Sequence, residues 1–215
     1  MITKQFLTRE YIKKKRSVSE IAKELGCSNN KVTYWLQKHS INRRTISEAI
    51  YTKSNPTGDP FAFKKPTHAE DWLLYGLGLG LFWGEGNKAN RHAVRIGNTD
   101  PALLRVFLQF LKKIFDIDQT KLRFGLQIFS DTPEHSAKAF WKQELNLHDS
   151  QFQKVIITPS KKVGNYRHKN KNGVLTIYFS NVKLRDSIVS AIEALQTTSY
   201  ANVAQSVERI HGKSQ

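Results

Sequence analysis

Glu85 closes the apolar run DWLLYGLGLGLFWGEG, a place where a carboxylate is costly. A helix already carries roughly half a negative charge at its C-terminal end, so an acid there opposes the macrodipole unless another duty offsets the penalty. Within the run Gly76, Gly80 and Gly84 recur every four residues and share one stripe of a helix, while Gly78 falls nearer the opposite side. Each interior glycine costs about 0.5 to 1 kcal/mol relative to alanine, and close approach to a second helix is the gain that balances such a stripe. Upstream, Asn29, Asn30, Lys31, Thr33 and Tyr34 cluster with Gln37 and Lys38, residue types suited to reading bases. An asparagine amide pairs bidentately with adenine, whereas lysine serves a phosphate as readily as a base edge. One cysteine, Cys27, and seven scattered histidines leave oxygen as the ligand for any metal.

Two short helices must position the upstream cluster. Ser17 and Glu20 have the spacing of a capping box, and Ile21, Ala22 and Leu25 then fall on one face. Gly26 allows a sharp turn, Ser28 offers a second helix start, and Val32, Trp35 and Leu36 give that helix its apolar stripe. The small Ala22, Gly26 four residues on and Val32 ten residues on resemble the bacterial helix-turn-helix family. The likeness implies that the early residues of the second helix enter the DNA major groove. Lys13, Lys14, Lys15, Arg16, Arg43 and Arg44 flank the pair as an expected phosphate clamp, and residues 1–55 hold twelve basic and four acidic residues, a net +8. A three-helix bundle with a merely solvated basic face, or one that binds a protein, is the plainer alternative.

The segment from Tyr51 to Pro66 contains Asn55-Pro56, Gly58, Asp59-Pro60 and Pro66, and reads as a linker. From Thr67 to Gln196 helical stretches alternate with the β-rich runs HAVRI, KLRFGLQIF, QKVIIT and VLTIYF, a mixed α+β order. Thr67 and Glu70 read as a further capping box launching the glycine-rich helix. The tail from Thr197 is polar and expected to be loose. Its sequence YANVAQSVERIHGKSQ resembles the peptide read from a transfer RNA gene, so it is expected to be dispensable for folding.

The whole chain of 215 residues carries thirty-four Lys and Arg against eighteen Asp and Glu, a formal +16 and a pI near 9.9. That balance points to a polyanionic partner, because clustered cations release the counterions condensed on phosphates. No apolar stretch reaches the roughly 18 residues of a spanning helix, so double-stranded DNA is favoured over a membrane and a cytoplasmic, nucleoid-associated location is expected. No small-molecule substrate is evident.

The segment GLGLFWGEG, residues 78–86, resembles the LAGLIDADG motif of homing endonucleases. The likeness continues through IGNTDPALLRVFLQFLKKIF, FWKQELNL and QFQKVIITPSKK, about residues 70–196 in all. It implies an αβ saddle behind a small all-α helix-turn-helix domain at residues 1–50. It also implies a homodimer, since a single motif copy must find its mate in a second chain through Gly76, Leu77, Gly80, Trp83 and Gly84. By position Glu85 is the implied catalytic acid, and Glu85 with Gly84 the implied ligands of Mg²⁺. Lys154 is the implied basic group near the reacting phosphate.

On the strand runs, alternation sets Arg95 apart from Val94 and Ile96, and places Arg123 and Gln127 on one face as base readers. Lys88 follows the motif as a further DNA contact. Lys161, Lys162, Arg167 and Lys169 lie in the basic loop 160–172, an expected phosphate-tracking arm. The sequence departs from the family in bulky Phe82 and Trp83 and in Glu where Asp is commoner. Two other functions share the architecture: a noncatalytic DNA-binding regulator, and an intron RNA-binding splicing factor.

Overall fold

The computed structural model describes residues 1–160 and 170–211, and the chain divides after Pro60 into two compact units. In the first, α1 (Lys4–Leu7) runs on as a π-helical turn over Thr8–Lys13, followed by α2 (Val18–Glu24), α3 (Asn29–Lys38) and α4 (Ile46–Ser54). Leu7, Tyr11, Ile21, Ala22, Val32 and Leu36 form its core. The Ser17 box closes as read: the Ser17 amide donates to the Glu20 carboxylate at 2.7 Å and the Glu20 amide to Ser17 Oγ at 3.2 Å. Gly26 turns the chain at φ +59°, and Ser28 Oγ accepts the Lys31 amide at 3.3 Å to start α3.

α4 overlaps the expected linker. A second capping box starts it, with the Thr45 amide on Glu48 at 2.7 Å and the Glu48 amide on Thr45 Oγ at 3.2 Å. No breaker precedes Asn55-Pro56, so the helix extends to Ser54. The remainder of the expected linker is also partly ordered onto the second unit. Phe61 and Phe63 pack against Phe115, and the Ala62 and Lys64 amides donate to the carbonyls of Phe115 and Ile114 at 2.9 and 2.7 Å.

The second unit is of the α+β class. Its elements are α5 (Ala69–Glu85), β1 (Val94–Asn98), α6 (Pro101–Ile114), β2 (Arg123–Phe129), α7 (Glu134–Leu145), β3 (Ile156–Thr158), β4 (Val174–Phe179) and α8 (Val182–His211). The strands form one sheet in the order β1-β4-β2-β3, with β4 antiparallel to both neighbours and β2 parallel to β3. Val94, Ile96, Phe124, Leu126, Leu175 and Ile177 point from the sheet into a core shared with α5, α6, α7 and α8. The alternate residues Arg95, Tyr178, Arg123 and Gln127 stand on the other face.

Two expectations about helix ends are corrected. α5 begins after His68, which makes no side-chain cap; the Asp71 and Trp72 amides both bond to the His68 carbonyl at 3.1 Å. Thr67 thus sits one residue too early for its box with Glu70. α8 runs through Thr197 to His211 rather than loosening there, in keeping with the absence of Gly and Pro between Val182 and His211.

Between Gly76 and Gly84 it is Gly78, not the four-residue stripe, whose lack of a side chain the core requires. A methyl group added there would drive into the Phe110 ring, whereas Gly76, Gly80 and Gly84 have nothing within 4 Å of such a group. Gly78→Ala should destabilise the unit by about 2 kcal/mol, because overpacking outweighs the roughly 1 kcal/mol gained in helix propensity. Thermal unfolding measures this, and a variant as stable as the parent would refute the packing.

Candidate functional site

α3 divides its expected readers between two faces. Asn29, Asn30 and Thr33 line a groove of about 920 Å³, whose other wall is α4 through Ile46, Ala49 and Ile50. Lys31, Tyr34 and Lys38, at offsets of three and four, lie on a different side of the helix. Lys38 stacks its ammonium 4.9 Å from the Trp35 ring centroid and 5.8 Å from that of Tyr34. Seven positions spread over residues 29–38 cannot all face one groove when each residue turns the helix by about 100°.

The expected phosphate clamp is smaller than the sequence suggests. Glu10 is buried, and its carboxylate takes Arg9 at 2.7 Å, Lys14 at 2.9 Å and Arg16 at 3.0 Å; Arg16 also pairs with Glu24. Lys15 makes this possible with a left-handed φ of 55°, which folds Arg16 back toward the pair. Arg44 is internal too. Its guanidinium lies 4.1 Å over the Tyr11 ring and donates to the carbonyls of Tyr11, Lys15 and Arg16 at 2.9, 2.9 and 2.5 Å. Arg44 therefore builds the unit instead of meeting phosphate. Lys13, Lys15 and Arg43 remain exposed.

Hydrogen bonds from Lys14, Arg16 and Arg9 hold the Glu10 carboxyl down at about 2, against an ordinary value of 4.5. A depressed carboxylate stabilises the fold above its unfolded value, and that stability is lost as pH falls from about 4.5 toward 2. Glu10→Gln should therefore flatten the acid limb of unfolding and lower stability at neutral pH. Circular dichroism across pH 2 to 7 tests this, and an unchanged acid limb would count against it.

In the second unit α5 turns its glycine stripe outward. Trp72, Leu73, Gly76, Leu77, Gly80 and Leu81 line a shallow apolar groove along the helix. Leu77 and Trp83 are 48% and 49% exposed, values that are high for large apolar side chains on a helix with a mostly apolar sequence. At the end of this face Glu85 is exposed, with no basic residue in the last helical turn. The Gly86 amide closes on the Phe82 carbonyl at 2.9 Å and the Asn87 amide on that of Arg95 at 2.8 Å. Among the described residues no backbone donor meets the Gly84 carbonyl. The Glu85 carboxylate and this carbonyl are hard oxygen donors of the kind Mg²⁺ takes, so the residues fit the implied ion. No group of three His, Cys, Asp or Glu side chains assembles among the described residues.

The bond from Asn87 to Arg95, with the Gly86–Ile96 bridge, ties the motif to β1. Glu85, exposed Lys88 and Arg95 thus gather at one edge of the sheet. Arg185 of α8 reinforces that edge by donating to the Lys88 carbonyl at 3.2 Å. Across the open face a row runs Arg95, Tyr178, Arg123, with the Arg95 guanidinium 4.8 Å over the Tyr178 ring. Arg123 turns back to the carbonyls of Thr120 and Leu122, both at 2.7 Å, and Gln127 reaches Thr158 Oγ1 at 3.1 Å.

Tyr178 and Thr176 were not singled out from sequence, although alternation along VLTIYF places them on this face. Gly97 and Gly125 leave them room, since a methyl group at either would press on Thr176 or Tyr178 at 2.7 and 2.8 Å.

Lys154 does not join Glu85. It is exposed beside β3, at the far edge, where pairing steps by one residue between Phe124–Phe152 and Gln127–Ile156. Three strand spacings, roughly 14 Å, separate the two edges. Lys161, Lys162, Arg167 and Lys169 lie outside the described residues.

No family model, curated protein or solved structure matches the chain. Among the described residues no helix is long and apolar enough to cross a membrane.

Proposed function

We propose that the chain is a sequence-specific, Mg²⁺-dependent endonuclease of double-stranded DNA that acts as a homodimer in the cytoplasm, in association with the nucleoid. The observation that carries this reading is the α5 face: open glycines between exposed Leu77 and Trp83, leading to an exposed carboxylate. Two such faces pack against one another and bring two Glu85 carboxylates to a shared centre. Glu85 and the Gly84 carbonyl would hold Mg²⁺ there, and the ion would supply activation of a water as nucleophile and an offset to charge on the leaving oxygen. Lys88 and Arg95 hold flanking phosphates at the same edge. Tyr178, Arg123 and Gln127 offer the open sheet face to the duplex, and Lys154 meets the backbone farther out. The first unit adds affinity by tethering a second DNA-binding surface to the same chain.

Incubation of the protein with a randomised duplex pool and Mg²⁺ should yield cuts at a recurring sequence. Recovery of a bound sequence without cuts would instead support a noncatalytic regulator, whose architecture is the same. Preference for a structured intron transcript over duplex would support RNA binding.

A further inference from the structure

α4 buries none of its nine residues, yet it forms one wall of the groove beside the recognition helix. Helices this short are marginal in water, so one that buries no residue gains from a partner on its open side. Its stripe of Ile46, Ala49, Ile50 and Lys53, at helical spacing, lines the groove opposite Asn29 and Asn30. Ile46 and Ile50 are 78% and 62% exposed. Arg43 and Lys15 join Lys53 as cations that line the groove, and the acid there, Glu20, is occupied by its capping box.

We propose that the first unit straddles one strand of duplex DNA, with α3 in the major groove and α4 in the adjacent minor groove. This rests on the DNA-binding reading above. A single sugar-phosphate strand divides the two grooves of a duplex, so a cleft holding it needs a polar wall for base edges and cations for phosphates. Its third requirement is a wall for the minor groove, where apolar side chains act as wedges against base steps. Asn29 and Asn30, the three cations, and Ile46 with Ile50 supply these in turn. A protein partner fits poorly, because the core of a protein interface is depleted in lysine while this stripe is ringed by it. Duplex RNA fits poorly as well, since its deep, narrow major groove excludes a helix.

The test uses the full chain and a labelled duplex recovered from the randomised pool. The Ile46→Ser, Ile50→Ser variant should bind about tenfold or more weakly, the loss expected when buried aliphatic groups return to water. Wild type should kink the duplex by roughly 20 to 90° in a circular-permutation assay, and the variant should not. Netropsin, which occupies the minor groove, should compete with wild type.

Lys53→Gln, at an exposed position, should lower the salt slope by about one. Because Ile46 and Ile50 are exposed, unchanged circular dichroism is expected and separates lost contact from lost fold. Failure of wild type to bind any duplex would end both readings. Binding that Asn30→Ala weakens, but that the isoleucine variant, Lys53→Gln and netropsin leave unaltered, would overturn the straddling alone.

Discussion

Replacing Glu85 by glutamine is expected to abolish cleavage while leaving a protein that is slightly more stable than its parent. The substitution keeps shape and one oxygen but removes the charge that, in the proposed function, draws Mg²⁺ into place. Metal assistance of this kind contributes several kcal/mol to a transition state, so the cleavage rate should fall by roughly a thousandfold or more. Stability should move the other way, by about 0.3 to 1 kcal/mol, because an exposed acid at a helix C-terminus opposes the macrodipole. No basic residue in the last turn of α5 compensates it. Opposite signs make the result hard to mimic, since a misfolded variant would lose both activity and thermal stability. Cleavage rate, duplex affinity and melting temperature should be measured on the same sample. Cutting within a few-fold of wild type would remove Glu85 from the chemistry.

What the sequence disclosed is local, and what it hid is contact between distant residues. The Ser17 box, the Gly26 turn and the Ser28 start all depend on spacings of a few residues and could be read directly. The Thr45 box has the same spacing, but α4 carries no buried stripe to announce a helix that runs on past Tyr51 into the expected linker. Thr67 and Glu70 show the converse, for matching letters do not form a box when the chain enters the helix at His68.

The basic run from Lys13 to Arg16 looks uniformly available on paper. In the fold Glu10 commits Lys14 and Arg16, and a left-handed residue between them makes that possible. Arg44 is consumed by carbonyls 28 to 33 residues away, which no periodicity reports. The glycine stripe was legible as a stripe, yet the role of Gly78 depended on Phe110, thirty-two positions later.

That division between glycines leads to the second large effect, which concerns assembly. Gly80→Ala should raise the stability of the dilute protomer by about 0.5 to 1 kcal/mol, since its methyl group meets nothing within 4 Å and the helix gains propensity. For a unit of this size the melting temperature would rise by roughly 2 to 4 °C per kcal/mol. In the proposed dimer the same methyl group would hold two α5 helices apart and weaken their pairing. Gly80→Leu should go further and leave a monomer that binds DNA through its first unit but does not cut. A lone helix stripe exposed to water predicts only the gain in stability; a stripe built for a second copy predicts the gain together with the loss of pairing. Sedimentation at several concentrations, beside thermal unfolding, separates these outcomes. A Gly80→Leu protein that still sediments as a dimer would place the contact elsewhere, and with it the meeting point of the two carboxylates.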